Sequence, residues 1–316
     1  MSVEHTGKTA GAAGPPAVAV GSRRTRIAFA GLLCGAVFTS FSPIFVRLSE
    51  LGPTATAFHR LLLALPVLWL WRVLEGKESS RAQRPRNIRD LALLGLAGFL
   101  FAGDLALFHW SIHLTAVANA TLLVNTYALL VMVGSALIFG ERFTRGFLAG
   151  SLIAVGGIGL LVSESLSFSL ANVAGDALGL GAALFYAAYL LCVVRLRARF
   201  SVNTILIWSG AIGTTVLGVV ALATGESLIA ASVTGWAVLV ALALVSQVAG
   251  QGLIAYALAH LRAGLSSVNL LIQPALSATW AWIILSEPLS PVQTLGIAVT
   301  LGGVMVARLG SRSTAS

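Results

Sequence analysis

Ten apolar runs of roughly 20 residues dominate this sequence, and they restrict the chain to one kind of solvent. A helix needs about 20 mostly apolar residues to cross the hydrocarbon core of a bilayer. The connections between the runs are short, apart from the charged loop 75–89. The chain is therefore predicted to be an all-α integral membrane protein. Its ten predicted spans are 27–47, 53–74, 90–112, 116–139, 144–163, 175–195, 202–223, 234–258, 264–286 and 291–309.

The charge content supports the same conclusion and excludes several other classes of protein. Charged residues make up 10% of the chain, whereas soluble domains contain about 25%. The net charge of +9 does not indicate a nucleic-acid partner, because the basic residues lie in short segments between apolar runs. We find no zinc-ligand spacing, phosphate-binding loop or catalytic carboxylate pair, so we expect no cofactor, no metal and no enzymatic activity. Cys34 and Cys192 lie inside apolar runs and are interpreted as small fillers.

The distribution of basic residues predicts the orientation of the spans. With the N-terminus inside, 18 of the 20 Lys and Arg residues fall in inner segments, as the positive-inside rule requires. The exceptions are Arg47, at the outer end of the first span, and Arg60, inside the second. We expect both termini to be cytoplasmic, with a disordered tail at 1–26 and a short tail at 310–316. The outer loops instead carry acidic residues, namely Glu50, Glu164, Asp176, Glu226 and Glu287.

The second half of the chain repeats features of the first. The stretch "AGDLALFHWSIHL" at 102–114 aligns with "AGQGLIAYALAHL" at 249–261, and this alignment matches Asp104 with Gln251. The stretch "GERFTRGFLAGSLIAVGGIG" at 140–159 aligns with "SEPLSPVQTLGIAVTLGGVM" at 286–305, and there Glu141 matches Glu287. Glutamate is scarce in this chain, so this match carries more weight than the glycine matches around it.

An odd number of spans in each repeat forces the second repeat to enter the membrane from the opposite side. The predicted architecture is therefore two inverted five-helix repeats, one at 27–163 and the other at 175–309. Many secondary transporters have this architecture and bind substrate near the midplane between the repeats. A duplication kept only for packing would leave the same trace in the sequence.

The same residues resemble a known family. Ten spans, two five-span repeats and the pattern "GE…G…GG" resemble the EamA-type transporters of the drug/metabolite transporter superfamily. The stretches "HRLLLALP" at 59–66, "VANATLL" at 117–123 and "LSSVNLLIQPALSATWAWIILSEPLS" at 265–290 are also similar to that family. The resemblance covers residues 27 to 309. It implies alternating-access transport of small metabolites, often the export of amino acids or related compounds.

One residue departs from the family pattern. Members commonly place a proline in span four where this chain has Ala128, whereas the equivalent Pro274 is present in span nine. Proline removes a backbone donor and interrupts a helix locally. If these prolines act as hinges, the chain has lost one of them, and symmetrical gating is then in doubt.

Asp104 is the one acidic residue predicted to lie well inside a span. A charge at the bilayer centre costs about 2.5–3.5 kcal/mol on insertion scales. Asp104 follows Asp90 by 14 residues, about 21 Å along a helix, which leaves it about 9 Å from the outer edge of a hydrocarbon core about 30 Å thick. Arg60 lies about 10 Å deep from that same outer edge. These depths are similar, so we predict an Asp104–Arg60 pair. The pair is either a fixed structural link between two helices or a site that binds substrate charge or a proton.

Other polar and aromatic residues inside the spans are candidates for the same pathway. Gln251 and Gln247 are interpreted either as hydrogen-bonding groups between helices or as the second repeat's part of the pathway. The tyrosines lie at aromatic positions of the family and either line a cavity or fill the core. The complete set of predicted pathway residues is Asp104, Arg60, His59, His109, Trp110, Asn125, Tyr186, Tyr189, Gln247, Gln251 and Gln273.

The leading hypothesis is a secondary transporter of small organic metabolites. No ATP-binding motif is found, so an ion gradient or the substrate's own gradient would drive it. Its expected partners are a small-molecule substrate and the lipid bilayer, and its oligomeric state is left open. A lipid-processing membrane protein and a non-transporting scaffold or receptor are the alternatives. The Arg- and Ala-rich composition favours a bacterial inner membrane.

Overall fold

The structure is a computed structural model that describes residues 23–74, 85, 87–115, 117–163, 173–286 and 288–312. Within these ranges every regular element is helical. Most of the predicted N-terminal tail, most of the loop 75–89 and Glu287 lie outside the described residues. The side chains of Thr121 and His113, which the sequence pairs with Asn125 and His109, lie outside them as well.

The helices agree closely with the predicted spans, and we number the spans 1 to 10 accordingly. Nine described helices are long and apolar enough to cross a membrane, and a shorter apolar helix, Arg145–Leu161, coincides with the predicted fifth span. The chain is a multi-pass membrane protein. The helical segments of spans 1 to 10 are Arg23–Ser40 with Ser42–Leu48, Pro53–Leu74, Ile88–Leu114, Val117–Asn125 with Tyr127–Phe139, Arg145–Val162, Val173–Arg197, Val202–Ala223, Val233–Ala241 with Leu242–Gln251 and Gly252–Ala257, Ala263–Leu270 with Ile272–Leu285, and Pro291–Arg312.

The contacts between spans are symmetric with respect to the two repeats: a contact made by spans of one repeat has a counterpart in which each span is replaced by its equivalent in the other repeat. Span 3 packs against span 6. The equivalent contact, obtained by exchanging spans 1–5 with spans 6–10, is that of span 8 with span 1, and it is present as well. The same holds for the contact of span 3 with span 7, which becomes that of span 8 with span 2. Spans 2 and 7, 4 and 9, and 5 and 10 each pack on their own counterpart. The tertiary structure therefore has the two inverted halves predicted from the sequence.

Spans 5 and 10 form the most extensive of these contacts, and glycine allows their backbones to touch. A Cβ atom added at Gly157 would lie 2.4 Å from the backbone nitrogen of Thr300. A Cβ atom added at Gly303 would lie 2.3 Å from the backbone nitrogen of Ala154. Gly157 and Gly303 are the residues that the repeat alignment matches, and each one occupies the same place in its half of the interface. The match of Gly157 with Gly303 therefore has a packing cause.

Spans 4 and 9 break at positions that agree within one residue in the repeat alignment, although only span 9 contains the proline. Span 4 is interrupted at Thr126, where the backbone N–H donates to the Leu123 carbonyl at 3.2 Å. Span 9 is interrupted at Leu271, whose N–H donates to the Val268 carbonyl at 3.2 Å. Both bonds are of the tighter 3₁₀ type. The absence of proline at Ala128 therefore does not remove the break from span 4.

Three glutamates outside the spans link the two repeats by accepting hydrogen bonds at helix N-termini. Glu226 accepts from the backbone N–H groups of Thr54, at 3.3 Å, and Ala55, at 2.8 Å, in the first turn of span 2. Glu141 accepts from Ala263, at 2.9 Å, and Gly264, at 3.2 Å, in the first turn of span 9. A helix N-terminus has unpaired donors and a partial positive charge, so a carboxylate stabilises it.

The third glutamate, Glu50, mirrors the action of Glu226. It accepts from the backbone N–H groups of Ala231, at 2.9 Å, and Ser232, at 3.1 Å, and from the Ser232 hydroxyl, directly before span 8. These hydrogen bonds, led by that from the Ser232 hydroxyl, lower the pKa of the Glu50 carboxyl. The face of the molecule that carries Glu50 and Glu226 is called the acidic end below. The opposite face, where span 1 begins at Arg23, is called the basic end.

Candidate functional site

Arg60 is a buried cation that joins the two repeats. It lies in span 2, and 6% of its surface is exposed. Its Nε donates to the Gln247 side-chain oxygen in span 8 at 3.0 Å, and its Nη1 donates to the Ser42 hydroxyl in span 1 at 3.0 Å. The guanidinium carbon also lies 5.8 Å from the centre of the Phe101 ring in span 3. A charge this deep in a span is costly, and these contacts offset part of that cost.

Asp104 faces the same region from span 3 and is 8% exposed. Its carboxylate interacts electrostatically with Arg60. Within the described residues it accepts no hydrogen bond and forms no direct ion pair. The predicted contact between Asp104 and Arg60 is therefore replaced by an interaction at longer range, because the guanidinium donates to Gln247 and Ser42 instead. This leaves the carboxylate with unused acceptor capacity.

Three tyrosines complete the surroundings of the two charges. Tyr127 in span 4 meets Tyr186 in span 6 edge to face, with ring centres 4.7 Å apart. Tyr189 stacks on Phe101, with ring centres 4.6 Å apart. All three tyrosines are buried and lie within electrostatic range of Asp104. The hydroxyl of Tyr127 is buried and has no hydrogen-bond partner among the described residues.

Span 8 presents its two glutamines from an unusual helix. Residues Leu242–Gln251 form a π-helix rather than the α-helix that the sequence predicts. Gln247 receives the hydrogen bond from Arg60, and Gln251 lies beside the Tyr186 hydroxyl. Their predicted α-helical spacing on one face is thus replaced by a wider turn that still brings both side chains inward. Departures from α-helical geometry of this kind are frequent at functional sites.

We call this assembly the central polar cluster. It draws on spans 1, 2, 3, 4, 6 and 8, and therefore on both repeats. Its members are Ser42, Arg60, Asp104, Tyr127, Tyr186, Tyr189, Gln247 and Gln251. Six of these eight were predicted from the sequence. Opposite charges with unused acceptor and donor groups suit the recognition of a small molecule that itself carries polar or charged groups.

The contacts described for the other predicted residues lie outside the cluster. His59 and His109 are buried, and each donates from Nδ1 to a backbone carbonyl, of Ala55 and Pro53 respectively, at 2.9 Å. Trp110 is 38% exposed and lies at the molecular surface.

Asn125 and Gln273 lie at the breaks of spans 4 and 9. The Nε2 atom of Gln273 is buried without a partner among the described residues. Asn269, which the sequence pairs with Gln273, donates to its own helix at the Leu265 carbonyl. These residues therefore lie at or next to the breaks, and a role for Asn125 and Gln273 in transport stays a prediction.

Two members of the cluster, Ser42 and Tyr127, were missed in the sequence. Both directly follow a break in a span, at Phe41 and Thr126 respectively. Pro43, next to Ser42, was a visible signal of the first break. The break before Tyr127 has no proline signal of its own. Among the described residues, no group of three or more side chains could hold a metal ion.

The comparison with known families agrees with this architecture. The model of the EamA-like transporter family matches residues 26–163 and again residues 173–309. The chain belongs to the EamA-like transporter family. Its two matches correspond to the two halves that pack against each other in inverted orientation. The chain is a transporter of the drug/metabolite transporter superfamily, and family membership indicates transport rather than enzymatic catalysis.

Several curated relatives of this EamA-like transporter are named as transporters or exporters. An uncharacterised transporter of Archaeoglobus fulgidus is 28% identical over 84% of this chain and 91% of the relative. A probable terminal-alkyne amino-acid exporter of Streptantibioticus cattleyicolor is 26% identical over 88% of this chain and 92% of the relative. A pseudopaline exporter of Pseudomonas aeruginosa is 26% identical over 78% of this chain and 84% of the relative. A crystal structure with 18% sequence identity shares the fold, with a TM-score of 0.75 over 93% of this chain and 99% of that one.

Proposed function

We propose that this EamA-like transporter exports amino acids or closely related small metabolites by alternating access. The observation that carries the proposal is the presence of two opposite charges, Arg60 and Asp104, in one buried cluster between the repeats. The proposal also includes a bacterial inner membrane, with the basic end and both termini in the cytoplasm, because basic residues concentrate at that end. Two relatives named for the export of an amino acid and of pseudopaline support export as the direction.

The two charges suit a substrate that carries both signs. A guanidinium binds a carboxylate through parallel hydrogen bonds, and the Asp104 carboxylate can accept from an ammonium group. An α-amino acid presents these two groups side by side. The tyrosine rings around the charges supply apolar and aromatic surface for the rest of the molecule. Substrate recognition in this proposal is therefore a replacement of the long-range Arg60–Asp104 interaction by two direct contacts.

Flux into proteoliposomes tests the proposal. A panel of radiolabelled amino acids is compared with the corresponding amines, which lack the carboxylate, and the corresponding carboxylic acids, which lack the ammonium group. We expect saturable flux of one or more amino acids and at least about tenfold lower flux of both truncated sets, since each loses a charge-assisted hydrogen bond. Equal flux of amino acids and amines would show that Arg60 does not recognise a carboxylate.

A pair of matched variants assigns the flux to the cluster. Asp104→Asn keeps the size of the side chain but removes its charge, so we expect transport to be lost while the melting temperature in detergent changes little. Asp176→Asn is the control, because Asp176 accepts from the Thr115 hydroxyl at the acidic end, outside the cluster. A fall in melting temperature that parallels the loss of flux in Asp104→Asn would make Asp104 a structural residue instead.

A further inference from the structure

A large crevice opens at the basic end, away from the central polar cluster. Its volume is about 910 Å³, and its walls come from the end of span 2, the connection between spans 6 and 7, and the last turns of span 8. It shares no lining residue with the cluster. Trp71 and Tyr256, near the ends of spans 2 and 8, stand at this level of the molecule. Tryptophan and tyrosine are enriched where a membrane meets water, which places the mouth of the crevice at headgroup depth.

The inner part of the crevice is apolar. Val248 and Leu253 line it along span 8, together with Ala249. From Tyr256 to Val248 the helix advances by at most about 12 Å, the value for an α-helical rise of 1.5 Å per residue, so the crevice runs from the headgroup level into the hydrocarbon region. A surface of this depth and polarity matches part of an acyl chain.

The mouth of the crevice is cationic, and one of its cations has an unused donor. Arg197 donates from Nη1 to the Phe200 carbonyl, but its Nε is buried without a partner among the described residues. Arg199 lines the crevice as well and is largely exposed, and its Nη1 lies 3.1 Å from the Asp90 carboxylate. A buried guanidinium N–H without a partner is costly, and phosphate oxygens are strong acceptors for it.

We propose that this crevice binds an anionic phospholipid from the leaflet at the basic end. The phosphate binds Arg197 at the mouth, and one acyl chain lies along Val248, Ala249 and Leu253. Basic pockets between spans on the cytoplasmic side bind anionic headgroups in this way. The occupant is a lipid rather than free phosphate, because the larger part of the lining is apolar and faces hydrocarbon depth.

Native mass spectrometry of the full-length protein in detergent tests this site. The protein is titrated with phosphatidylglycerol and, separately, with phosphatidylcholine of the same chains. We expect discrete binding of phosphatidylglycerol and about fivefold weaker binding of phosphatidylcholine, the difference typical of one basic residue near a lipid surface. Arg197→Gln should remove this preference. Ala249→Leu keeps the charge but fills the crevice, so it should weaken the binding of both lipids.

Arg145→Gln is the matched control, because Arg145 is exposed at the same end, outside the crevice. An equal loss of binding in Arg145→Gln would mean diffuse attraction of lipid and would overturn the proposal. Equal binding of the two lipids to the unaltered protein would overturn it as well. Displacement of phosphatidylglycerol by an equal concentration of glycerol phosphate would reveal an anion site without an acyl groove, which also contradicts it. If Arg197→Gln does not fold, Ala249→Leu decides: weakened binding supports the site, and unchanged binding refutes it.

Discussion

Arg60 donates through two of its nitrogens to two different repeats, to Gln247 in span 8 and to Ser42 in span 1. Its place inside the second span was visible in the sequence, and so was the similar depth of Asp104. Its hydrogen-bond partners were not visible, because depth along a helix says nothing about which neighbour a side chain faces. The forked shape of the guanidinium lets one residue hold two helices and still interact with Asp104 through its charge.

Replacing Arg60 by lysine tests whether the fork matters beyond the charge. Lysine is a compact point charge and cannot reproduce the two-directional geometry of a guanidinium. We expect Arg60→Lys to lose at least one hydrogen bond, worth about 0.6 kcal/mol on average and up to about 1.7 kcal/mol inside a membrane. Melting in detergent should therefore fall slightly, whereas flux in proteoliposomes should fall severely. Arg60→Gln, which leaves Asp104 without a counter-charge, should be worse in both assays. Full flux in Arg60→Lys would show that transport needs only the positive charge of Arg60 and not the geometry of its guanidinium group.

Among the helices, spans 5 and 10 show why the repeats preserve glycine in matched positions. Gly157 and Gly303 each touch the backbone of the opposite span, whereas their neighbours Gly156 and Gly302 have nothing within 4 Å of an added Cβ. The sequence alignment matched both glycines of each pair and could not separate them. Only the rotation of each helix about its axis decides which glycine faces its partner.

Alanine substitutions at these four glycines form a test with built-in controls. Gly157→Ala and Gly303→Ala force two backbones apart, and overpacking of this kind costs about 1–3 kcal/mol. Gly156→Ala and Gly302→Ala meet open space, and alanine has the higher helix propensity. We expect the first pair to lower the melting temperature in detergent and the second pair to leave it unchanged or raise it slightly. Similar losses at Gly156 and Gly157 would mean that spans 5 and 10 are rotated from the orientation described.

For the whole molecule, carboxylates at both ends tie the N-terminus of a span in one repeat to the other repeat. At the acidic end Glu226 and Glu50 bind the N-termini of spans 2 and 8 reciprocally. At the basic end Glu141 binds the N-terminus of span 9. In the proposed alternating-access cycle one end opens at a time, and these carboxylate contacts are among those that such an opening would break.

The contact made by Glu50 predicts a dependence on pH. A carboxyl whose pKa is lowered by folding stabilises the folded state above the ordinary glutamate pKa of about 4.3, and this contribution is lost as the pH falls through the lowered value. We therefore expect the melting temperature to decline as a detergent sample is acidified below about pH 4. Glu50→Gln should melt at a lower temperature at neutral pH and show a shallower acid decline. Asp176→Asn is the control, and an unchanged acid decline in Glu50→Gln would remove Glu50 as its cause.

The membrane class, the positions of the spans, the inversion of the repeats and the resemblance to the EamA-type family can all be read from the amino-acid sequence. These properties follow from run length, from an odd number of spans per repeat and from residue matches, all of which are one-dimensional. The sequence also predicted six of the eight residues of the central polar cluster, because polar groups inside apolar runs are conspicuous.

Tertiary structure alone decided which polar residues meet. In the structure His59 and His109 donate to backbone carbonyls and Trp110 is exposed. Ser42 and Tyr127, which were not predicted, are members of the central polar cluster. These outcomes depend on helix rotation, on the π-helix of span 8 and on the break of span 4. Hydrophobic run length is insensitive to all three, since a helix can rotate or bend without changing its apolar composition. Asp104 was therefore predictable as a buried charge, whereas the hydrogen bonds of Arg60 to Gln247 and Ser42, in place of a direct ion pair with Asp104, were not.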